Sequence, residues 1–481
     1  MKYALVTVAV LVMAGCTVGP KYHPPTVQTP GAFKEPPPDS FKESQGWKTA
    51  QPADSKLRGD WWTLFGDTEL DGLEEQVNIS NENLKAAQSR FQQARALLRV
   101  NQSQKYPTVT VGAQATSNRD SSTYALRNSA TSGNFGNFAL PVDVSYEVDA
   151  WGRVRRTIEA AREEAQATAA DLETLRLSYH AELAYDYFEL RSADAEQKLL
   201  DDTVKAYERA VELTRNRFEG GAAAGSEVAQ AETQLESTRT QDADVKVRRA
   251  QFEHAIAVLI GKSPAVFALG PKPLDVGPPI IPVGVPSQLL ERRPDIASAE
   301  RRVAEANAQI GIARAAFFPQ LLLGAEAGFM GQSITDWLNW PSRFWAVGPS
   351  VLQTVFDGGR RRATQQAAQF NYDALVSTYR QTALDAFQQV EDNLAALRVL
   401  EQENETQKAA VKAAERSLEL STNRYTGGLV TYLEVVTAQS AALDNERTAV
   451  DITRRRMDAS VALIKALGGG WDAAQLPKLT D

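Results

Sequence analysis

The sequence holds a single cysteine, Cys16, so no disulfide can close within the chain. Its three histidines, His23, His180 and His254, stand far apart without metal-ligand spacing. Each reads as an incidental surface or packing residue. Beyond the N-terminus no apolar run reaches the roughly eighteen residues of a membrane-spanning helix. Positive charge is short as well. The formal net charge is −8, which argues against a nucleic-acid partner. Ser-His-Asp constellations, zinc spacings, phosphate loops and dinucleotide fingerprints are missing, so neither an enzyme nor a cofactor is expected.

What is present starts at the N-terminus. Lys2 supplies a positive n-region, Tyr3 to Val12 an apolar core, and Met13-Ala14-Gly15 the small or apolar residues before the cysteine. This pattern predicts a signal peptide over residues 1–15. The run Leu11-Val-Met-Ala-Gly-Cys16 resembles a bacterial lipobox, with Met13 where that motif usually has Leu. The resemblance implies a covalent lipid on Cys16, and Thr17, where Asp would mark inner-membrane retention, implies outer-membrane sorting. Residues 16–60 are Pro-rich (Pro20, Pro24, Pro25, Pro30, Pro36, Pro37, Pro38, Pro52) and are expected to run extended over the surface.

From residue 61 one plan is written twice. Trp61-Trp62-Thr-Leu-Phe65 precedes a helical run that Pro107 stops. Val109, Val111, Ala113 and Ala115 then alternate with polar residues, as do Leu140, Val142, Val144, Tyr146 and Val148 after a polar loop. Pro141 weakens the second strand locally. Gly152 to Phe218 contains no proline and no internal glycine, long enough for a helix of about 100 Å. That length belongs to a bundle or coiled coil. Asn216-Arg-Phe-Glu-Gly-Gly then turns into a returning helix. Asn423-Arg-Tyr-Thr-Gly-Gly does the same 207 residues later. We therefore divide the chain into a first repeat (61–261), a Pro/Gly linker (262–286), a second repeat (287–470) and a tail (471–481). Gly220, Gly221, Gly427 and Gly428 mark two hairpin tips, where φ > 0 is cheap only for glycine.

Four amphipathic strands cannot close a membrane barrel, which starts at about eight. Either they form a water-exposed sheet or several chains share one barrel. Trp337, Trp340, Phe344 and Trp345 fit an interfacial aromatic girdle or an aromatic core around a loop. Arg153, Arg155, Arg156 and Arg360, Arg361, Arg362 open the two long helices against the macrodipole. A phosphate headgroup layer or plain solvation would account for them.

At Leu289-Leu-Glu-Arg-Arg-Pro-Asp-Ile296, continuing to Ala315-Ala-Phe-Phe-Pro319, the match becomes specific. Together with Val355-Phe-Asp-Gly-Gly-Arg360, Arg424-Tyr-Thr-Gly-Gly428 and Tyr432-Leu-Glu-Val-Val-Thr-Ala-Gln439, it resembles the TolC/OprM-type outer-membrane factors of tripartite efflux systems, in their lipoprotein branch. The resemblance covers nearly the whole mature chain. It implies a mostly α protein with a membrane β-barrel: a homotrimer sharing a 12-stranded barrel above a periplasmic helical tunnel. The linker and the Pro-rich segment would join a belt near the tunnel's middle.

Such proteins sit in the bacterial outer membrane and passively conduct drugs or other small molecules. They receive them from an RND-type inner-membrane pump through a periplasmic adaptor. A protein-secretion duct or a non-conducting, lipid-anchored scaffold are the alternatives. In relatives a hydrophobic ring and an acidic ring close the tunnel. Leu433 matches the hydrophobic position; the acidic one falls on Thr437, with Glu434 and Glu227 the nearest acids that could substitute.

Overall fold

The structure is a computed structural model that describes residues 17–38, 59–119, 121, 123, 134–274, 276–284 and 286–479. The signal peptide and Cys16 lie outside the described residues. A 3-10 turn, Trp61–Phe65, leads into helices α1 (Thr68–Ser80) and α2 (Glu82–Gln102). Strands β1 (Thr108–Val111), β2 (Gln114–Arg119) and β3 (Asn134–Val148) follow. Helix α3 (Arg153–Glu219) and its return α4 (Gly225–Leu259) complete the first repeat. The second repeat runs α5 (Leu289–Arg292), α6 (Pro294–Ala315), β4 (Gln320–Gly331), β5 (Arg343–Leu352), α7 (Arg360–Thr426) and α8 (Tyr432–Ala466). Both long helices have 67 residues and both return helices 35. Among the described residues no helix is long and apolar enough to cross a membrane.

The sheet is four strands wide, and its first strand is split. β1 and β2 both pair antiparallel with β3, which pairs with β4, which pairs with β5. Val111 faces Val142 and Gln114 faces Ala139, so one register runs through the split. The break lies opposite Pro141, which has no N–H to offer the ladder. Gly112 still donates its N–H to the Pro141 carbonyl at 3.0 Å. The expected local weakening is therefore met on the neighbouring strand, while β3 itself continues for 15 residues. On the other side Pro141 faces Gly328, where a Cβ would come within 2.1 Å of the Leu140 carbonyl oxygen. Only glycine lets the two backbones meet there.

Alternation sorts the residues into two faces. One carries Val109, Val111, Leu140, Val142, Val144, Tyr146, Leu321, Leu323, Trp345, Val347 and Val351. The other carries Thr108, Thr110, Asp143, Ser145, Glu147, Gln320 and Glu326. The apolar face stands open: Val111 is 70% and Trp345 74% exposed. In the aromatic cluster, Trp345 belongs to this face and Trp340 is exposed in the adjoining loop, as a girdle requires. Phe344 points to the opposite face, and Trp337 packs on Phe138 at 6.1 Å.

Among the arginines opening the long helices, Arg153, Arg155 and Arg361 pair with an acid just upstream. The Asp149 carboxylate accepts the N–H groups of Val154 and Arg155, both at 3.0 Å, and so caps α3. Arg155 returns to the same carboxylate at 3.1 Å and Arg153 binds Glu147 at 2.7 Å. Asp357 does the same for α7, accepting from the Arg361 backbone and pairing with its side chain at 2.7 Å. The acid just upstream reconciles each basic run with the helix dipole.

The main core sits halfway along both long helices. Tyr187, Phe188 and Leu190 of α3 pack there with Leu394 and Leu397 of α7, Trp61, Trp62, Leu70 and Ile464. Phe267, Leu269, Leu274 and Ile281 of the linker join them, as do Val27 and Phe33 of the Pro-rich segment, and together they make a mid-helix layer, or belt. His180 is a packing residue here, stacked on Trp62 at 4.4 Å with Nδ1 2.6 Å from the Glu74 carboxyl. Arg293 explains the Leu-Glu-Arg-Arg-Pro-Asp stretch. Buried at the start of α6, it grips Asp295 at 2.6 Å and donates to the carbonyl of Ala466, in the last turn of α8. Above the belt, α3 and α6 meet along a seam of buried alanines, including Ala160, Ala167, Ala170, Ala304, Ala308 and Ala315. Small side chains let the helix axes approach closely.

From Thr17 to Pro38 the chain forms a strap. Thr17 packs against Gly152 and the Val18 N–H donates to the Trp151 carbonyl, beside the strand ends. The strap then descends along α6 and α7. Tyr22 bonds Glu300, and the backbone N–H groups of Lys34 and Glu35 share the Glu391 carboxylate at 2.8 and 2.9 Å.

Candidate functional site at the hairpin mouth

Both hairpin turns have the same backbone geometry. Gly220 and Gly427 are right-handed, with φ of −76° and −75°; only the second glycine of each pair, Gly221 and Gly428, is left-handed, at 71° and 72°. The Gly221 N–H reaches the Phe218 carbonyl and the Ala222 N–H that of Arg217; Gly428 and Leu429 repeat this with Tyr425 and Arg424. These are Schellman turns, in which one left-handed residue satisfies the last carbonyls.

The side chains are less symmetric. The Arg217 guanidinium lies 4.6 Å from the centroid of the Tyr425 ring and donates to the Tyr425 carbonyl at 3.1 Å. The Tyr425 hydroxyl donates to Glu227 at 3.0 Å, and its ring meets Tyr432 edge-on at 5.2 Å. Burial pushes the Tyr432 hydroxyl up to about 12, so it stays protonated. Tyr207, Val211, Ala231, Leu235 and Val435 close the cluster, which joins both hairpins of one chain.

The four residues singled out in the sequence separate here. Leu433, in the first turn of α8, is 56% exposed and belongs to no hydrophobic cluster among the described residues. Glu434 binds Arg424 of its own hairpin at 2.6 Å. Glu227 is held by Tyr425. Thr437 is exposed, and its hydroxyl donates back to the Leu433 carbonyl at 2.9 Å. Sequence reasoning missed Arg217 and Tyr425. The available signal was the one aromatic difference between the twin motifs, Phe218 against Tyr425.

A sheet with an open apolar face, carried on helices of about 100 Å that end in paired hairpins, defines a membrane-embedded conduit. The family model described as outer membrane efflux protein matches residues 73–262 and 285–469. The chain belongs to that family. It is 30% identical over 478 residues to a probable efflux pump outer membrane protein, TtgC, of Pseudomonas putida, across 98% of this chain and 96% of that protein. It is 31% identical over 418 residues to the pyoverdine export outer membrane protein OpmQ of Pseudomonas aeruginosa, across 86% and 88%. The solved outer-membrane channel OprN superposes with a TM-score of 0.85 at 28% identity, covering 95% of this chain and all of that one. The protein is thus an outer-membrane efflux channel, and its family is one of transport.

Proposed function

We propose that three copies of the chain share one 12-stranded barrel and one periplasmic tunnel, through which small molecules leave passively. An inner-membrane RND-type pump and a periplasmic adaptor are the proposed suppliers. One observation carries this reading: a four-strand sheet whose two outermost strands, β1/β2 and β5, have no partner on one side among the described residues, together with an open apolar face. Lipid tolerates no unpaired edge, so the edges must close on other copies. Purified protein should run as a trimer and conduct in a planar bilayer, weakly in its closed state. A correctly folded trimer that stays silent would refute the conduit.

The mouth is the proposed gate. Leu433 supplies the hydrophobic ring. The acid missing at Thr437 is replaced by ties. Glu434, neutralised by Arg424, adds no free charge whose three copies would repel. Tyr425 and Glu227 hold the two hairpins of each chain together.

We also propose that Cys16 carries the covalent lipid predicted by its motif. Thr17, its neighbour, packs against Gly152 at the junction of strands and long helices, where the inner leaflet of the outer membrane would lie. Mass analysis of the mature N-terminus tests this; an unacylated Cys16 would sink it.

A further inference from the structure

The open apolar face of the sheet bears only two charged residues on its strands, Arg119 and Arg343, and no acid. Both lie near the strand ends far from the long helices. Arg343 sits on this face opposite Phe329, in the row that includes Leu140. Its guanidinium stacks 4.3 Å from the Trp340 ring and donates one N–H to the Trp340 carbonyl at 3.2 Å. No ion pair to it occurs among the described residues. Directly toward the helices the same strand shows Trp345, Val347 and Val351, all widely exposed. A cation on a lipid-facing strand is costly within hydrocarbon and tolerated at headgroup depth. Its planar fork suits phosphate oxygens.

We propose that Arg343, held by Trp340, binds a phosphate group of a phosphorylated glycolipid in the outer leaflet, whose acyl chains lie along Trp345, Val347 and Val351. The end of the sheet decides the leaflet. The tunnel helices leave from the opposite end, so Arg343 stands at the outer surface. The geometry supplies the three parts such a ligand needs: a positioned cation, an exposed ring beside it, and an apolar strip below. The cation–π stack fixes the guanidinium before binding, which lowers the ordering cost.

The inference rests on the reading that the apolar face meets lipid. The test uses the full-length protein in nanodiscs and native mass spectrometry. The bilayers contain bis-phosphorylated lipid A, its dephosphorylated form or phosphatidylglycerol, and a competition arm contains inorganic phosphate. The wild type should retain lipid A at least fivefold better than Arg343→Gln, with Arg343→Lys between them. Dephosphorylated lipid A should bind the wild type no better than lipid A binds the variant. Equal retention of lipid A by wild type and Arg343→Gln, both inserted as intact trimers, would overturn the proposal. So would equal binding of phosphatidylglycerol, or displacement by millimolar inorganic phosphate. A chain that fails to insert into bilayers at all would instead refute the barrel reading beneath it.

Discussion

Arg217 of the first hairpin covers the ring of Tyr425 on the second, and the Tyr425 hydroxyl returns to Glu227 on the first. The duplicated positions do not repeat this. Phe218 stands where Tyr425 has its twin, and Arg424 is taken by Glu434 of its own hairpin. The hydroxyl tie therefore occurs once per chain. Tyr425→Phe keeps the ring and the arginine stack but removes a hydrogen bond to a carboxylate worth about 1–3 kcal/mol. The closed mouth should weaken at least fivefold, read as raised leak conductance in a planar bilayer. A leak equal to that of the wild type would show that Glu227 holds nothing shut.

Leu433 lies outside every hydrophobic cluster among the described residues, so its truncation should cost the fold little. Leu433→Ala is expected to raise leak conductance and sensitivity to a bulky antibiotic while trimer stability stays within about 0.5 kcal/mol. Unchanged conductance in a stable trimer would place the constriction elsewhere.

In the belt, Glu74 and His180 should make stability depend on pH in two directions. Burial holds the Glu74 carboxyl well above its ordinary 4.5, so the folded chain keeps a proton that the unfolded chain releases. That contribution weakens the fold as pH rises above 4.5. Burial also lowers His180 from 6.5 to about 4, which weakens the fold as pH falls through that window. Glu74→Gln still offers an N–H to the His180 ring and removes only the first effect. Its unfolding midpoint should exceed that of the wild type at pH 8 and approach it near pH 4.5. An identical pH profile for both proteins would exclude this account.

Gly328 admits the Leu140 carbonyl where a Cβ would stand at 2.1 Å. Gly328→Val should separate β3 from β4 and abolish trimers in the outer membrane, detectable by seminative electrophoresis. Gly324→Ala serves as the control, since nothing lies within 4 Å of the Cβ it would add.

The plan of the chain was readable because breaks in long helices need glycine or proline, and both repeats put them at matching places. Strand faces were readable for the same reason, through alternation. The split of the first strand was not, because its cause, Pro141, lies on the strand beside it. The arginines at the helix starts were legible as basic runs but not as ion pairs. Their partners, Glu147, Asp149 and Asp357, precede the helices and lie outside the helical pattern itself. Residues 217 and 425 meet only after two hairpins have folded together, and no local pattern encodes such a meeting. Thr437 departs from the expected acid in plain view, but the rotamer that returns its hydroxyl to the Leu433 carbonyl is not written in the sequence.

The sheet's unpaired outer strands bear on how the protein comes to be stable at all. A lone chain would leave two rows of backbone groups unsatisfied along β1/β2 and β5 and an apolar face without neighbours. In the proposed trimer, closing the sheet and associating are one reaction, with no finished monomer as an intermediate. Its melting point is then a property of how crowded the membrane is with copies, and dilution acts on it as a denaturant would.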